Sequence, residues 1–284
     1  MKRNKHFAEV GGMLRVGVFQ RSRCNSWPLV HFLEQELSGA IISEWEPTDI
    51  CLRLMTHNLD LALLPIADLM NLSRGKIVSD CCIACCGVVQ SVKLISKKPI
   101  SRIGTLALDV SSRSSVLMCE LLLRHYFGIL PKKYRLDVTR PLDGCGADAF
   151  VVVGDKALGY QPDSQWEYRY DLGEIWYNKT GLPFVFAAWA SCTENIWANR
   201  NCILACKKTR DRGIIEIDTL LDQKYIDGTK HQLERNTVKS YLTNSIIYKL
   251  GKNERAGLQL FFDLALQYGY AKYRTVVDVS DFDT

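Results

Sequence analysis

The chain has 284 residues, 47% of them apolar and 24% charged, a balance that excludes disordered, collagenous and fibrous classes. At this length about three quarters of the unfolded surface can be buried, so a core needs neither a disulfide nor a metal staple. Thirty-six basic residues against 31 acidic ones leave a net charge of +5, too evenly spread for a nucleic-acid footprint and suited to a small anionic ligand.

Met1 to Gly12 is basic and polar and lacks the apolar h-region of a secretory signal, and Met13 is an alternative start that would make it a tail. No apolar run approaches the ~20 residues of a membrane span. Leu14 to Phe19 reads as a short strand and Pro28 to Leu37 as a helix closed by Gly39. Ala40 to Glu44 is the next strand, Thr48 to Thr56 a helix, and Asp60 to Pro65 a strand stopped by its proline. This alternation predicts an α/β protein with a mostly parallel sheet and helices on both faces. Ligands of such sheets bind beyond the carboxyl ends of the strands, here the loops Arg21 to Trp27, Glu46 to Asp49 and Pro65 to Asp68.

Ile77 to Ile95 reads as extended and apolar. A second unit begins near Lys98-Pro99, with a strand over Arg102 to Leu108 and a polar turn over Asp109 to Ser115. A helix follows from Val116 to Phe127, stopped by Gly128, and Ala147 to Val153 is a strand ending in Gly154-Asp155. Lys230 to Tyr268 reads as helical, with Tyr241, Ile246, Leu250, Leu258, Phe261, Phe262 and Leu266 forming a core stripe.

Eleven cysteines, several of them inside apolar runs, fit a reducing cytoplasm, where buried thiols are ordinary. Cys82 and Cys85 have CxxC spacing, but no second CxxC exists and the five histidines are scattered. A closed zinc site wants four ligands and a redox CxxC should open a helix, so these thiols are expected in the core or a pocket wall.

Four serines and an arginine between a strand and a helix, Ser111 to Ser115, carry the most local information. A helix N-terminus has unpaired N–H groups and a partial positive charge, so the turn is either an anion site or a plain cap by Ser111 or Ser112. Arg113 could pair with a ligand carboxylate. Asn25 lies before Pro28 and is either a cap or an amide that binds a ligand; Asp155 is either a helix cap or a pocket carboxylate. There is no Ser-His-Asp order, P-loop or dinucleotide fingerprint, and Gly144-Cys145-Gly146 is a turn.

Asp171-Leu-Gly-Glu-Ile-Trp176, followed by Thr180-Gly-Leu-Pro-Phe-Val-Phe-Ala187 and Trp189, resembles the signature block of MqnA-type chorismate dehydratases of the futalosine route to menaquinone. Cys24-Asn-Ser-Trp-Pro-Leu29, Asp60 to Pro65, Gly87 to Val92, Ser112-Arg-Ser-Ser115 and Gly154-Asp-Lys-Ala-Leu158 resemble further family motifs in the same order. Departures are Cys24 in place of leucine, Val88 in place of proline, Cys85 where serine or another small residue is common, and Ser114 in place of threonine.

The resemblance implies a two-lobed type 2 periplasmic-binding-protein-like fold with the ligand between lobes. Residues 1–93 and 190–284 would form the first lobe and 94–189 the second, with crossings near Ser91 to Lys97 and Ala187 to Ser191. It implies removal of water from chorismate to give 3-[(1-carboxyvinyl)oxy]benzoate. A 1,4-dihydroxy-6-naphthoate synthase-type enzyme and a small-anion solute-binding protein are the alternatives. Asn25 and Asp155 would be catalytic. Ser26, Cys85, Cys86, Gly87, Ser112, Arg113, Ser114, Ser115 and Gly154 would bind substrate. The general base is either Asp155 or the substrate's own enolpyruvyl carboxylate, with the second favoured. The expected partner is small-molecule chorismate, with no cofactor, metal, nucleic acid or membrane; a monomer and a homodimer both remain open.

Overall fold

The apolar run Arg15–Phe19 forms β1, a single 3-10 turn follows over Cys24–Ser26, and Pro28 sits in the first turn of α1 (Trp27–Val30). The computed structural model describes residues 13–20, 23–109, 112–136, 141–226, 233–271 and 275. The expectations placed on Met1 to Gly12, Arg21 and Ser111 therefore lie outside the described residues, as does the start of the expected tail helix. The helix expected over Pro28 to Leu37 is broken into α1 and α2 (Leu33–Glu36) at Phe32, which turns out of helical geometry and buries its ring 3.8 Å beneath the Arg212 guanidinium. The chain then alternates through β2 (Ile41–Trp45), α3 (Pro47–Met55), β3 (Leu61–Pro65) and α4 (Ile66–Leu69) into the long β4 (Lys76–Cys85).

The second sheet takes β5 (Val92–Ser96), β6 (Thr105–Leu108), β7 (Lys132–Arg135), β8 (Ala149–Val153) and β9 (Tyr168–Asp171). Between them lie α5 (Arg113–Leu121), continued by one π-helical turn, and α6 (Asp155–Gly159). After α7 (Leu172–Thr180) the chain returns to the first sheet as β10 (Phe184–Ser191). It continues through α8 (Glu194–Trp197), α9 (Arg200–Ile215), α10 (Ile217–Ile226), α11 (Arg235–Ser240), β11 (Ile247–Lys249) and α12 (Lys252–Gln267).

The first sheet has the order β11-β4-β10-β3-β1-β2 and the second β7-β6-β8-β5-β9. Parallel pairing is confined to β1–β2, β1–β3, β6–β7 and β6–β8; the other five pairings are antiparallel. The expectation of a mostly parallel sheet is corrected, because the strands through which the chain crosses and returns run against the βαβ strands they join. β5 lies wholly in the second sheet and β10 wholly in the first, so the sheet changes precede both strands. A strand's ladder holds it to one sheet along its length, which moves both changes ahead of the expected crossings.

The tail also differs from its reading as continuous helix. Tyr241–Ser245 is a π-helical turn, and Ile247 and Lys249 pair with Ala84 and Cys81 at the edge of the first sheet. Covering that open edge outweighs the helical spacing of the apolar residues.

The tryptophan block is core. Asp171 caps α7 by accepting from the Glu174 amide (3.0 Å), and Gly181, with φ +69°, closes the helix. The indole of Trp176 is fully buried, donates to the Pro183 carbonyl (3.2 Å) and packs edge-on against Phe184 and Phe261. Asp171 also accepts from the amides of Val89 (3.1 Å) and Gln90 (2.7 Å), so the same carboxylate fixes the crossing segment between β4 and β5.

Candidate active site

A cavity of about 500 Å³ lies between the two sheets, a size suited to a small ligand. Phe19 and Pro65, at the carboxyl ends of β1 and β3, line it from one lobe; Arg135 and Val153, at the ends of β7 and β8, line it from the other. Ile83, Phe186 and Ile246 give it an apolar wall.

The start of α5 faces this cavity through Ser112, Arg113, Ser114 and Ser115. Ser112 occupies the cap position, but its side chain makes no capping bond, so the plain-cap reading of this serine does not hold. The first intrahelical bond runs from the Val116 amide to the Ser112 carbonyl (3.0 Å), which leaves the amides of Arg113, Ser114 and Ser115 ahead of it. Ser114 is already engaged: its Oγ accepts from the Ala67 amide of α4 (3.1 Å). Arg113 forms an ion pair with Asp68, also on α4. Asp68 is fully buried and its second oxygen has no partner among the described residues. Burial pushes the Asp68 carboxyl above its ordinary range, with the Arg113 charge opposing that rise.

Asn25 sits in the 3-10 turn, half-buried, lines the cavity, and its carbonyl accepts from the Tyr248 hydroxyl (3.1 Å). It does not cap α1; that position is held by Ser26, whose Oγ donates to the Arg23 carbonyl (2.9 Å). Gly154 has φ +74°, a conformation that side chains resist, and its amide donates to the Ser91 carbonyl (2.8 Å). This turn delivers Asp155 to the cavity at the start of α6. Asp155 reaches across the cleft: Oδ1 accepts from the Cys24 thiol (3.1 Å) and Oδ2 from the Cys24 amide (3.4 Å).

The structure thus brings Asn25, Ser112, Arg113, Ser114, Ser115, Gly154 and Asp155 to one cavity, whereas Ser26, Cys85, Cys86 and Gly87 are not among its lining. Cys85 is buried beneath Gly173, where an added Cβ would lie 2.8 Å from its sulfur. Cys86 is exposed, and Gly87 belongs to the crossing segment. The eleven cysteines are free thiols, and among the described residues no three His, Cys, Asp or Glu side chains gather as they would around a metal ion. Residues that sequence reasoning missed include Asp68, the rim cations Arg23, Arg135 and Lys156, and Tyr241, whose hydroxyl donates to Ser91 Oγ (2.8 Å). Asp68 and Arg23 carried a signal, their places in loops after a strand's carboxyl end, and Lys156 lies just past the end of β8.

Two α/β lobes with a ligand-sized cleft between them define a periplasmic-binding-protein-like fold. The alkanesulfonate-binding protein SsuA from Xanthomonas axonopodis superposes with a TM-score of 0.62 at 15% identity, covering 93% of this chain and 96% of that one. Protein AF1704 from Archaeoglobus fulgidus gives a TM-score of 0.70 at 14% identity over 90% and 98%. Residues 14–267 match the family described as menaquinone biosynthesis, and the chain belongs to that family. A chorismate dehydratase of Thermus thermophilus is 26% identical over 257 residues, 84% of this chain and 90% of the relative. One from Campylobacter jejuni is 32% identical over 114 residues, 40% and 48% of the two chains. Among the described residues, no helix is long and apolar enough to cross a membrane.

Proposed function

We propose that this protein is a chorismate dehydratase, a hydro-lyase that converts chorismate to 3-[(1-carboxyvinyl)oxy]benzoate in the futalosine route, acting in the cytoplasm without a cofactor. The observation that carries the reading is the single cavity where the α5 terminus, Asn25 and Asp155 meet, in a chain of the menaquinone-biosynthesis family. Chorismate is a dianion, and the cavity offers it anion-binding groups: helix-terminal amides, the Ser112 and Ser115 hydroxyls, and rim cations.

The elimination takes the ring C3 proton and the C4 hydroxyl. As the C3–H bond breaks, charge spreads through the diene onto the ring carboxylate, and donors already in place there lower the barrier as an oxyanion hole does. The α5 terminus suits one of the two carboxylates. Asn25 suits the departing hydroxyl or the substrate's orientation. The substrate's enolpyruvyl carboxylate is the proton acceptor, with the protein holding it near C3; positioning of this kind can supply ~7–11 kcal/mol. Loss of the hydroxyl then leaves the aromatic ring, one water having been removed in all.

The test is to incubate the purified protein with chorismate and follow the ultraviolet spectrum and mass of the product. An aromatic product lighter than chorismate by one water is expected. Chorismate that stays unchanged, or is bound without change, would show a binding protein instead and end this reading.

A further inference from the structure

The turn that carries Asn25 is held from three directions. Within the turn, Ser26 Oγ donates to the Arg23 carbonyl. From the tail, Tyr248 in β11 is buried and donates to the Asn25 carbonyl, 223 residues away in sequence. From across the cleft, Asp155 accepts from both the amide and the thiol of Cys24. We infer that Asp155 and Cys24 form a cross-cleft clasp that, with Tyr248, aims Asn25 into the cavity, making all three positioning residues and leaving Asp155 no part in taking the substrate's proton.

The clasp works by geometry. Asp155 rides on the β8–α6 turn of the second lobe, whereas Asn25 belongs to the first, so this contact ties the Asn25 turn to the opposite lobe. Both Asp155 oxygens accept from Cys24, which turns the carboxylate toward the protein turn. A thiol is a weak donor, but burial, with the Asp155 charge adding, pushes Cys24 far up and keeps its proton in place at neutral pH. The neighbouring hydroxyls of Tyr225 and Tyr241 are also raised by burial, so neither titrates near neutrality.

The inference rests on the dehydratase reading, and its test separates the two. Steady-state turnover of chorismate is measured across pH for wild type, Asp155→Asn, Cys24→Ala, Cys24→Ser and the Cys24→Ala/Asp155→Asn pair. The asparagine keeps an acceptor oxygen, so kcat should fall only about tenfold, with the shape of the pH profile unchanged. Cys24→Ala should lower kcat about threefold to tenfold, Cys24→Ser should restore most of that loss, and the double variant should be no worse than Asp155→Asn alone. Should Cys24→Ala fail to fold, Tyr248→Phe removes one donor alone and should lower kcat about threefold with KM unchanged. A fall of about a thousandfold in Asp155→Asn with one limb of the pH profile gone would make Asp155 the base and overturn the inference. An active wild type with an indifferent Asp155→Asn overturns it too and leaves the dehydratase reading standing. An inactive wild type removes both.

Discussion

Two of the contacts that join the lobes across the cavity engage a carboxylate, and they handle charge differently. Between α5 and α4, the Arg113 guanidinium, 44% exposed, meets the fully buried Asp68. The desolvation cost of that pair falls on the carboxylate, whose second oxygen has no partner among the described residues. Between α6 and the 3-10 turn, a half-buried Asp155 meets a neutral thiol and an amide. Each contact takes a charged side chain that sequence grammar offers to the ligand and spends it on the other lobe. Apart from the rim cations, what remains at the cavity is a set of neutral donors, the α5 amides, Ser112, Ser115 and Asn25. Fixed neutral dipoles suit a reaction in which charge shifts along the substrate, because they need not reorganise as it moves.

The largest effect should come from breaking the charged contact on its accessible side. Arg113→Ala leaves the Asp68 carboxylate buried and unpaired, and should destabilise the protein by about 3 kcal/mol in urea unfolding. Adding Asp68→Asn should recover most of the loss. An unchanged midpoint in the single variant would mean that the ion pair is not what joins α5 to α4. Next comes Asn25→Ala, on the turn tied to the neutral contact, which should lower kcat on the order of a hundredfold while leaving the unfolding midpoint near wild type. An unchanged kcat would remove Asn25 from the chemistry.

The contrast also marks what local sequence reveals. The β1–β3 alternation was legible because each unit is short and punctuated by Gly39 and Pro65, and the tryptophan block because its cap, helix and closing Gly181 are contiguous. Ser112 to Ser115, Asn25 and Asp155 could be picked out for the same reason: each lies at a strand's carboxyl end, where the fold collects loops. Asp68 and Tyr241 act through partners 45 and 150 residues away, a pairing that no local pattern encodes. Cys85 lies off the cavity lining, with Gly173 of α7 directly over its sulfur. The tail misled because an amphipathic spacing does not reveal that a neighbouring sheet has an edge to cover.

Among the neutral donors, Ser112→Ala should raise KM or lower kcat by about tenfold, the loss expected when a charge-assisted hydrogen bond goes while the helix amides stay. An effect within twofold would place the substrate carboxylate elsewhere in the cavity.

The smallest effect concerns pH and returns to the charged contact. Burial holds the folded-state pKa of Asp68 above its ordinary 3.8, so between that value and the raised one the folded protein binds more protons than the unfolded chain. Stability contributed by this group is therefore present at low pH and declines as pH rises through the window. Asp148 runs the other way: the Lys98 ammonium holds its carboxyl low, so its contribution is kept above 3.8 and lost as pH falls. Asp68→Asn removes the first dependence and leaves the second. The difference in unfolding free energy between wild type and variant, followed from pH 4 to 7, should slope against wild type as pH rises, by less than the ~3 kcal/mol expected for arginine loss. A flat difference would mean that the Arg113 charge fully offsets burial, and the two contacts across the cleft would then handle charge alike.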